Sequence, residues 1–347
     1  MMRLHGFEAE DENGNQYPDI YTGAINPTST MRFHQQVNEF FEERDLENVN
    51  ISSYFDKGHF DDPDMYQWVT ESLTRQLNHQ NYHHIVFIWD ISDITMLSTN
   101  HIAELIILKP SINLMPLYNF RESICESVHS LQNSYNIIKD VVNIEDAFAG
   151  TTDQMRKAAP MYDALRKLYN NIQSDDEKEK KTIIQHELLV KCGMVEQEAE
   201  LRQAAKENQK VYHKRWKYAK KCMELVNRRS SKSKTRKYEN IVLCDEGVAS
   251  GAAQLIISGI SSTVPIENIY SPFCDPEDSV YDRTLSIKSV IDRIQRRYGE
   301  KCFLIHVTSG LSRAEIPIPI WPIRANEAFK FLYMAQRDFL LQEKACL

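Results

Sequence analysis

The chain has 347 residues, 42% of them apolar, with seven cysteines and a formal net charge of −8. That length and apolar share suffice for two or three packed units, and no run of about 20 apolar residues offers a membrane-spanning helix. The odd, scattered cysteines, with no C-x-x-C pair, argue against a disulfide framework or a zinc knuckle. Together with the polar start Met1-Met2-Arg3-Leu4-His5-Gly6, they lead to the expectation of a cytoplasmic protein without a cofactor.

Residues 4–24 read as a hairpin, because Asn13-Gly14 tolerates the positive φ of a tight turn. Phe33, Val37 and Phe40 have helical spacing, residues 48–52 suit a short strand, and an acidic loop at 58–64 leads into a helix starting near Pro63. Met65, Val69, Leu73 and Leu77 line one face of that helix. Residues 84–90, HIVFIWD, form the continuous apolar run expected of a strand buried on both faces. A further helix over 118–139 places Phe120, Ile124, Val128, Leu131, Tyr135 and Ile138 in register.

Residues 151–237 read as a charged helical segment. Pro160 is placed at a helix start, ahead of a stripe of Met161, Leu165, Leu168 and Ile172, and a charged joint follows at 174–181. A long helix covers 194–227, and residues 228–237, RRSSKSKTRK, read as a flexible linker with the composition of a nuclear import signal. Beyond it, strands are expected at 241–244, 266–273 and 302–307, with helices at 252–260, 285–297 and 325–342. Three prolines confine 316–323 to an edge strand or extended loop. The fold class is therefore α/β, with mixed α+β as the alternative: Rossmann-like segments at 1–150 and 238–347 flank the charged helices.

The long helix has two faces. Between Arg202 and Lys237 stand fourteen Lys or Arg against two Glu, a net of +12 that leaves −20 for the rest of the chain. At about 100° per residue, Leu201, Ala205, Tyr212, Trp216, Ala219, Met223 and Val226 fall on one stripe, suited to self-association through a coiled-coil seam or a packed helix pair. Lys206, Lys210, Lys214, Lys217 and Lys221 fall opposite, and Arg228, Arg229, Lys232, Lys234, Arg236 and Lys237 extend them. A stripe of that kind suits RNA or another polyanion, although most charged stripes are simply solvated helix faces. From these features the expected function is a non-enzymatic, self-associating protein that binds RNA or another polyanion through the basic helix.

A second segment is closer to chemistry. Residues 241–253, IVLCDEGVASGAA, read as a buried strand ending in two acids, then a turn of small residues, then a helix whose first N–H groups suit a phosphate. The segment resembles the diphosphate-ribose loop of phosphoribosyltransferases. That resemblance implies ribose hydroxyls on Asp245 and Glu246 and a phosphate on the amides of Ala249, Ser250 and Gly251, hence a nucleotide-binding enzyme or sensor as the alternative function. A plain strand-to-helix turn, with Ser250 as cap, is the simpler reading. Thr308, Ser309 and Gly310 end the 302–307 strand in a similar way and would share one crevice with that turn if both strands lie in one parallel sheet. Asp90 and Asp93 also end a buried strand, a place where catalytic carboxylates occur, but Asp90-Ile91-Ser92 lacks the second acid of a phosphotransfer D-x-D. His79 and His83 lie four apart without a matching carboxylate, so no metal site is expected.

Overall fold

The run at 84–90 becomes β3, the middle strand of a five-stranded parallel sheet. The computed structural model describes residues 8–10, 16–18, 63–98, 101–102, 112–129, 142–149, 153–172, 189–190, 192–272, 283–309, 318–323 and 327–342. Expected features at 33–41, 48–52, 58–62, 130–139 and 174–181, together with Gly310, lie outside the described residues. β1 (Glu8–Glu10) and β2 (Gln16–Pro18) pair antiparallel, as the hairpin requires. The sheet itself runs β5 (Ile269–Tyr270), β4 (Lys237–Leu243), β3 (His84–Asp90), β6 (Cys302–Thr308), β7 (Ile320–Pro322), with every neighbour parallel. This is the α/β fold that the alternation of apolar runs and amphipathic stretches implies. β7, with Pro322, lies at the edge, where a missing N–H costs no ladder bond.

Period-2 alternation divides β3 between two cores. Ile85, Phe87 and Trp89 face a large helical layer, while Val86 and Ile88 face α8 (Arg283–Tyr298). α8 meets them with Ile287, Val290, Ile291 and Ile294, the i, i+3, i+4, i+7 stripe of a one-sided helix. Each such side chain, fully buried, stabilises the fold by about 1.5–3 kcal/mol. The opposite layer gathers α1 (Pro63–His79), α3 (Met115–His129), α5 (Asp153–Ile172), α6 (Glu198–Lys232), α7 (Val248–Ile257) and α9 (Ala328–Ala335). The helix α4 (Ile144–Ala149) lies against α5 and α8, where Asp146 pairs with Arg293.

Several boundaries depart from the sequence reading. α5 begins at Asp153, so Pro160 lies inside the helix. α6 runs to Lys232 and is bent at Tyr212, whose φ of −111° and ψ of 16° leave the helical region. Residues 233–236 are not a loose linker. Ser233 and Arg236 are buried, the Arg236 N–H donates to Ser233 Oγ at 3.1 Å, and the Tyr238 N–H donates to Ser230 Oγ at 3.2 Å. A segment without apolar residues can still be ordered when its hydroxyls satisfy the backbone between two anchored elements. Of the strand expected at 266–273, only Ile269–Tyr270 forms a strand among the described residues, after a single 3-10 turn at Ile266–Asn268.

Among the described residues, no helix is long and apolar enough to cross a membrane.

Candidate functional site at the carboxyl edge of the sheet

β4 and β5 lie on one side of β3, and β6 and β7 on the other. The connections therefore reverse direction between β3 and β6, and ligands of open α/β sheets bind outside the carboxyl ends of the strands at such a point. At that point stands Asp90, the last residue of β3 and the residue before α2, the short helix Ile91–Thr95. Asp90 is buried. Thr308 Oγ1 donates to its Oδ2, and His306 Nε2 lies 3.3 Å from its Oδ1, in position to donate when the ring carries its proton there.

Asp93, three residues on, ties three elements together. Its Oδ2 accepts the Ser309 N–H at 2.7 Å, which joins α2 to the end of β6. Its Oδ1 accepts from Arg215 Nη2 at 2.8 Å, and its backbone carbonyl accepts from Arg215 Nε at 2.9 Å. Arg215 comes from the sheet-facing side of α6, where it is buried against the Phe329 ring. Ser92, the second residue after Asp90, is half-buried.

The end of β4 is built differently. Gly247 takes φ +99°, which L side chains rarely adopt, and turns the chain into α7. Asp245 is exposed, and Glu246 faces inward. Glu246 Oε2 accepts from Arg121 Nη1 at 2.9 Å, Gln254 Nε2 at 3.0 Å and Ser250 Oγ at 3.2 Å. Gln254 Oε1 in turn accepts from the Thr95 hydroxyl at 2.9 Å, and Arg121 Nη1 also donates to the Leu97 carbonyl at 2.8 Å. The network therefore braces α7 against α2 and α3. Ala249, Ser250 and Gly251 are buried within α7, and a Cβ on Gly251 would stand 2.9 Å from Ile269 Cγ2 and 3.0 Å from Cys244 Cβ. Close helix-to-strand packing accounts for that glycine. Burial first, then the Glu246 charge, pushes the Cys244 thiol up to about 12. His101, whose Nδ1 lies 2.6 Å from Ser98 Oγ, is held below its ordinary value chiefly by burial, with Asp93 opposing and Arg215 assisting.

Both turns singled out in the sequence thus lie on one edge of one parallel sheet, with Thr308 and Ser309 beside Asp90 and the 245–251 turn one strand away. The residues that sequence reasoning underweighted are Asp90 and Asp93, and it did not single out Arg121 or Arg215. Asp90 had the signal of an acid closing a buried strand. Arg215 had none, because it is hidden among fourteen basic residues.

No family model matches the chain. Over 283 residues it is 35% identical to protein phosphatase eya-1 of Caenorhabditis elegans, an alignment covering 74% of this chain and 54% of that protein. The chain is similar to a protein phosphatase. It spans about half the length of that curated relative.

This similarity overturns the expectation of a non-enzymatic RNA-binding, self-associating protein, and with it the coiled-coil assignment and the phosphoribosyl-binding alternative. The fold supplies the physical reason for the first. Leu201, Ala205, Tyr212, Ala219, Met223 and Val226 are buried in the chain's own core, and the half-buried Trp216 donates through Nε1 to the Ser258 carbonyl at 3.0 Å. The apolar stripe faces the sheet and α9 of its own chain. Of the basic residues, Lys206, Lys210, Lys214, Lys217, Arg228, Lys232, Lys234 and Lys237 are exposed, Lys221 and Arg229 are half-buried, and Arg236 is inside. Lys214 lies 3.6 Å from Glu327, and Lys221 stands over the Tyr218 and Tyr333 rings. Glu246, expected on ribose hydroxyls, is engaged by Arg121, Gln254 and Ser250.

Proposed function

We propose that this chain is a phosphomonoesterase acting on phosphorylated protein, with Asp90 as the nucleophile. The observation that carries the reading is the position of Asp90, a carboxylate closing the central strand at the reversal point of the sheet, in a chain 35% identical to a protein phosphatase. A carboxylate oxygen of Asp90 attacks phosphorus and displaces the alcohol, which leaves with a proton from solvent. Water then attacks the aspartyl phosphate, releases inorganic phosphate and restores the carboxylate. The net change is hydrolysis of one ester by one water.

Thr308 and His306 orient the Asp90 carboxylate, and the Asp93 bond to the Ser309 N–H fixes the β6 turn beside it. Ser92 cannot protonate a leaving group as a carboxylic acid does. The reading therefore favours an ester whose leaving group is already acidic, such as a phenol with pKa about 10, over an alkanol. Cys222, Cys244 and Cys302 carry free thiols, which suits a reducing compartment, and we assign the activity to the cytoplasm. The test is hydrolysis of para-nitrophenyl phosphate and of paired phosphotyrosine and phosphoserine peptides. Turnover lost in Asp90→Asn supports the reading, and no turnover by the wild type rejects it.

A further inference from the structure

A phosphate dianion brought beside the Asp90 carboxylate needs positive charge close by, and a divalent cation is a common source of it in phosphoryl transfer. The donors at this edge, among the described residues, do not suit one. Among the described residues, no group of three or more His, Cys, Asp or Glu is arranged to hold a metal ion. Asp93, the carboxylate one helical turn from Asp90, has Oδ1 on a guanidinium 2.8 Å away and Oδ2 on the Ser309 N–H at 2.7 Å. Ser92, two residues after Asp90, brings a hydroxyl. A hard dication prefers several anionic or carbonyl oxygens in an octahedral shell, and here the positive charge beside Asp93 is already an arginine.

We propose that Arg215 is the resident cation of this site, and that phosphate esters bind to it without a divalent metal. The proposal takes its choice of ligand from the phosphatase reading. Three features of Arg215 support it. Among the described residues its hydrogen bonds go to Asp93 through Nε and Nη2, which leaves the two N–H groups of Nη1 for another acceptor. Its position is set before any ligand arrives, by Asp93 on one side and the Phe329 ring, 5.7 Å from the guanidinium carbon, on the other. Its partner Asp93 accepts the N–H of Ser309, the residue after Thr308, whose hydroxyl donates to Asp90. A planar fork of donors matches phosphate oxygens in a way a lysine ammonium does not. The bend of α6 at Tyr212 comes three residues before Arg215 and sets the course of the helix segment that bears it.

The test is calorimetric titration of the full chain with inorganic phosphate, with EDTA and with magnesium, on three proteins: wild type, Arg215→Lys, and the double variant Arg215→Met/Asp93→Asn. The double variant removes both charges, so no buried carboxylate is left alone to unfold the protein. The expected result is wild-type phosphate binding that is equal in EDTA and in magnesium, with no heat from magnesium chloride alone. Affinity should fall about tenfold or more in the double variant, the loss typical of a charged hydrogen bond, and by a smaller factor in Arg215→Lys. Magnesium binding by the wild type, phosphate binding that EDTA abolishes, no phosphate binding at all, or a double variant that binds as tightly as wild type would each overturn the proposal. The two readings separate cleanly. Arg215-dependent phosphate binding without ester hydrolysis keeps Arg215 and removes the phosphatase reading, whereas hydrolysis that stops in EDTA does the reverse.

Discussion

The carboxyl ends of β3 and β4 are adjacent in the sheet and alike in sequence pattern, yet the fold uses them differently. Each strand runs apolar towards its carboxyl end, reaches acids there or within three residues, and leads into a helix. At the end of β4 the inward acid, Glu246, is enclosed by Arg121, Gln254 and Ser250, and the following helix packs so closely that Gly251 has no room for a methyl group. At the end of β3 the acid, Asp90, stands at the reversal point, with a hydroxyl, an imidazole and a second carboxylate system around it. On the proposed reading, it is the place in the strand order that makes a site of one strand–acid–helix pattern and a packing turn of the other. The 245–251 turn is the more eye-catching in sequence because it is rich in small residues, and small residues serve close packing as readily as phosphate binding.

The largest effect is expected at Asp90. Asp90→Asn should lower turnover of an aryl phosphate on the order of a thousandfold or more while the far-UV circular dichroism stays that of the wild type. An unchanged rate would move the chemistry elsewhere. Arg215→Met alone should cost about 3–5 kcal/mol of stability, because the buried Asp93 loses its counter-charge. Urea unfolding measures this, and adding Asp93→Asn should recover part of the loss. On the β4 side, Gly251→Ala should cost about 1–3 kcal/mol through overpacking against Ile269 and Cys244. Its affinity for inorganic phosphate should equal that of the wild type, and a specific loss of phosphate binding without loss of stability would return that turn to the site.

The smallest effect concerns pH. Burial holds His101 below its ordinary pKa of about 6.5, so the unfolded chain binds a proton there before the folded chain does. The stability this neutral imidazole contributes is present above about 6.5 and is lost as pH falls from there towards the lowered folded value. Urea midpoints measured from neutral to mildly acidic pH should show that slope, and His101→Asn should flatten it.

Much of the architecture was legible in the residues. HIVFIWD is a strand buried on both faces because it is apolar from Ile85 to Trp89, and it is the middle strand of the sheet. Ile287, Val290, Ile291 and Ile294 specify a one-sided helix by spacing alone. The two-faced character of α6 was equally plain, but the sequence could not say what its apolar face meets. Periodicity reports that a face is buried and is silent on whether the cover is another copy or the same chain. The tertiary structure decided for the chain's own sheet and α9, and so removed the seam.

The residue pattern alone carries the α/β class, the central strand β3 and the acids at Asp90, Asp245 and Glu246. The packing of the layers set the rest: Asp90 stands at the reversal of strand order, and Arg215, one of fourteen basic residues between Arg202 and Lys237, is buried against Asp93. Both depend on contacts between residues more than a hundred positions apart, as Arg215 with Asp93 and Thr308 with Asp90 show. Such contacts follow from how whole layers pack, and no local pattern of residues encodes them.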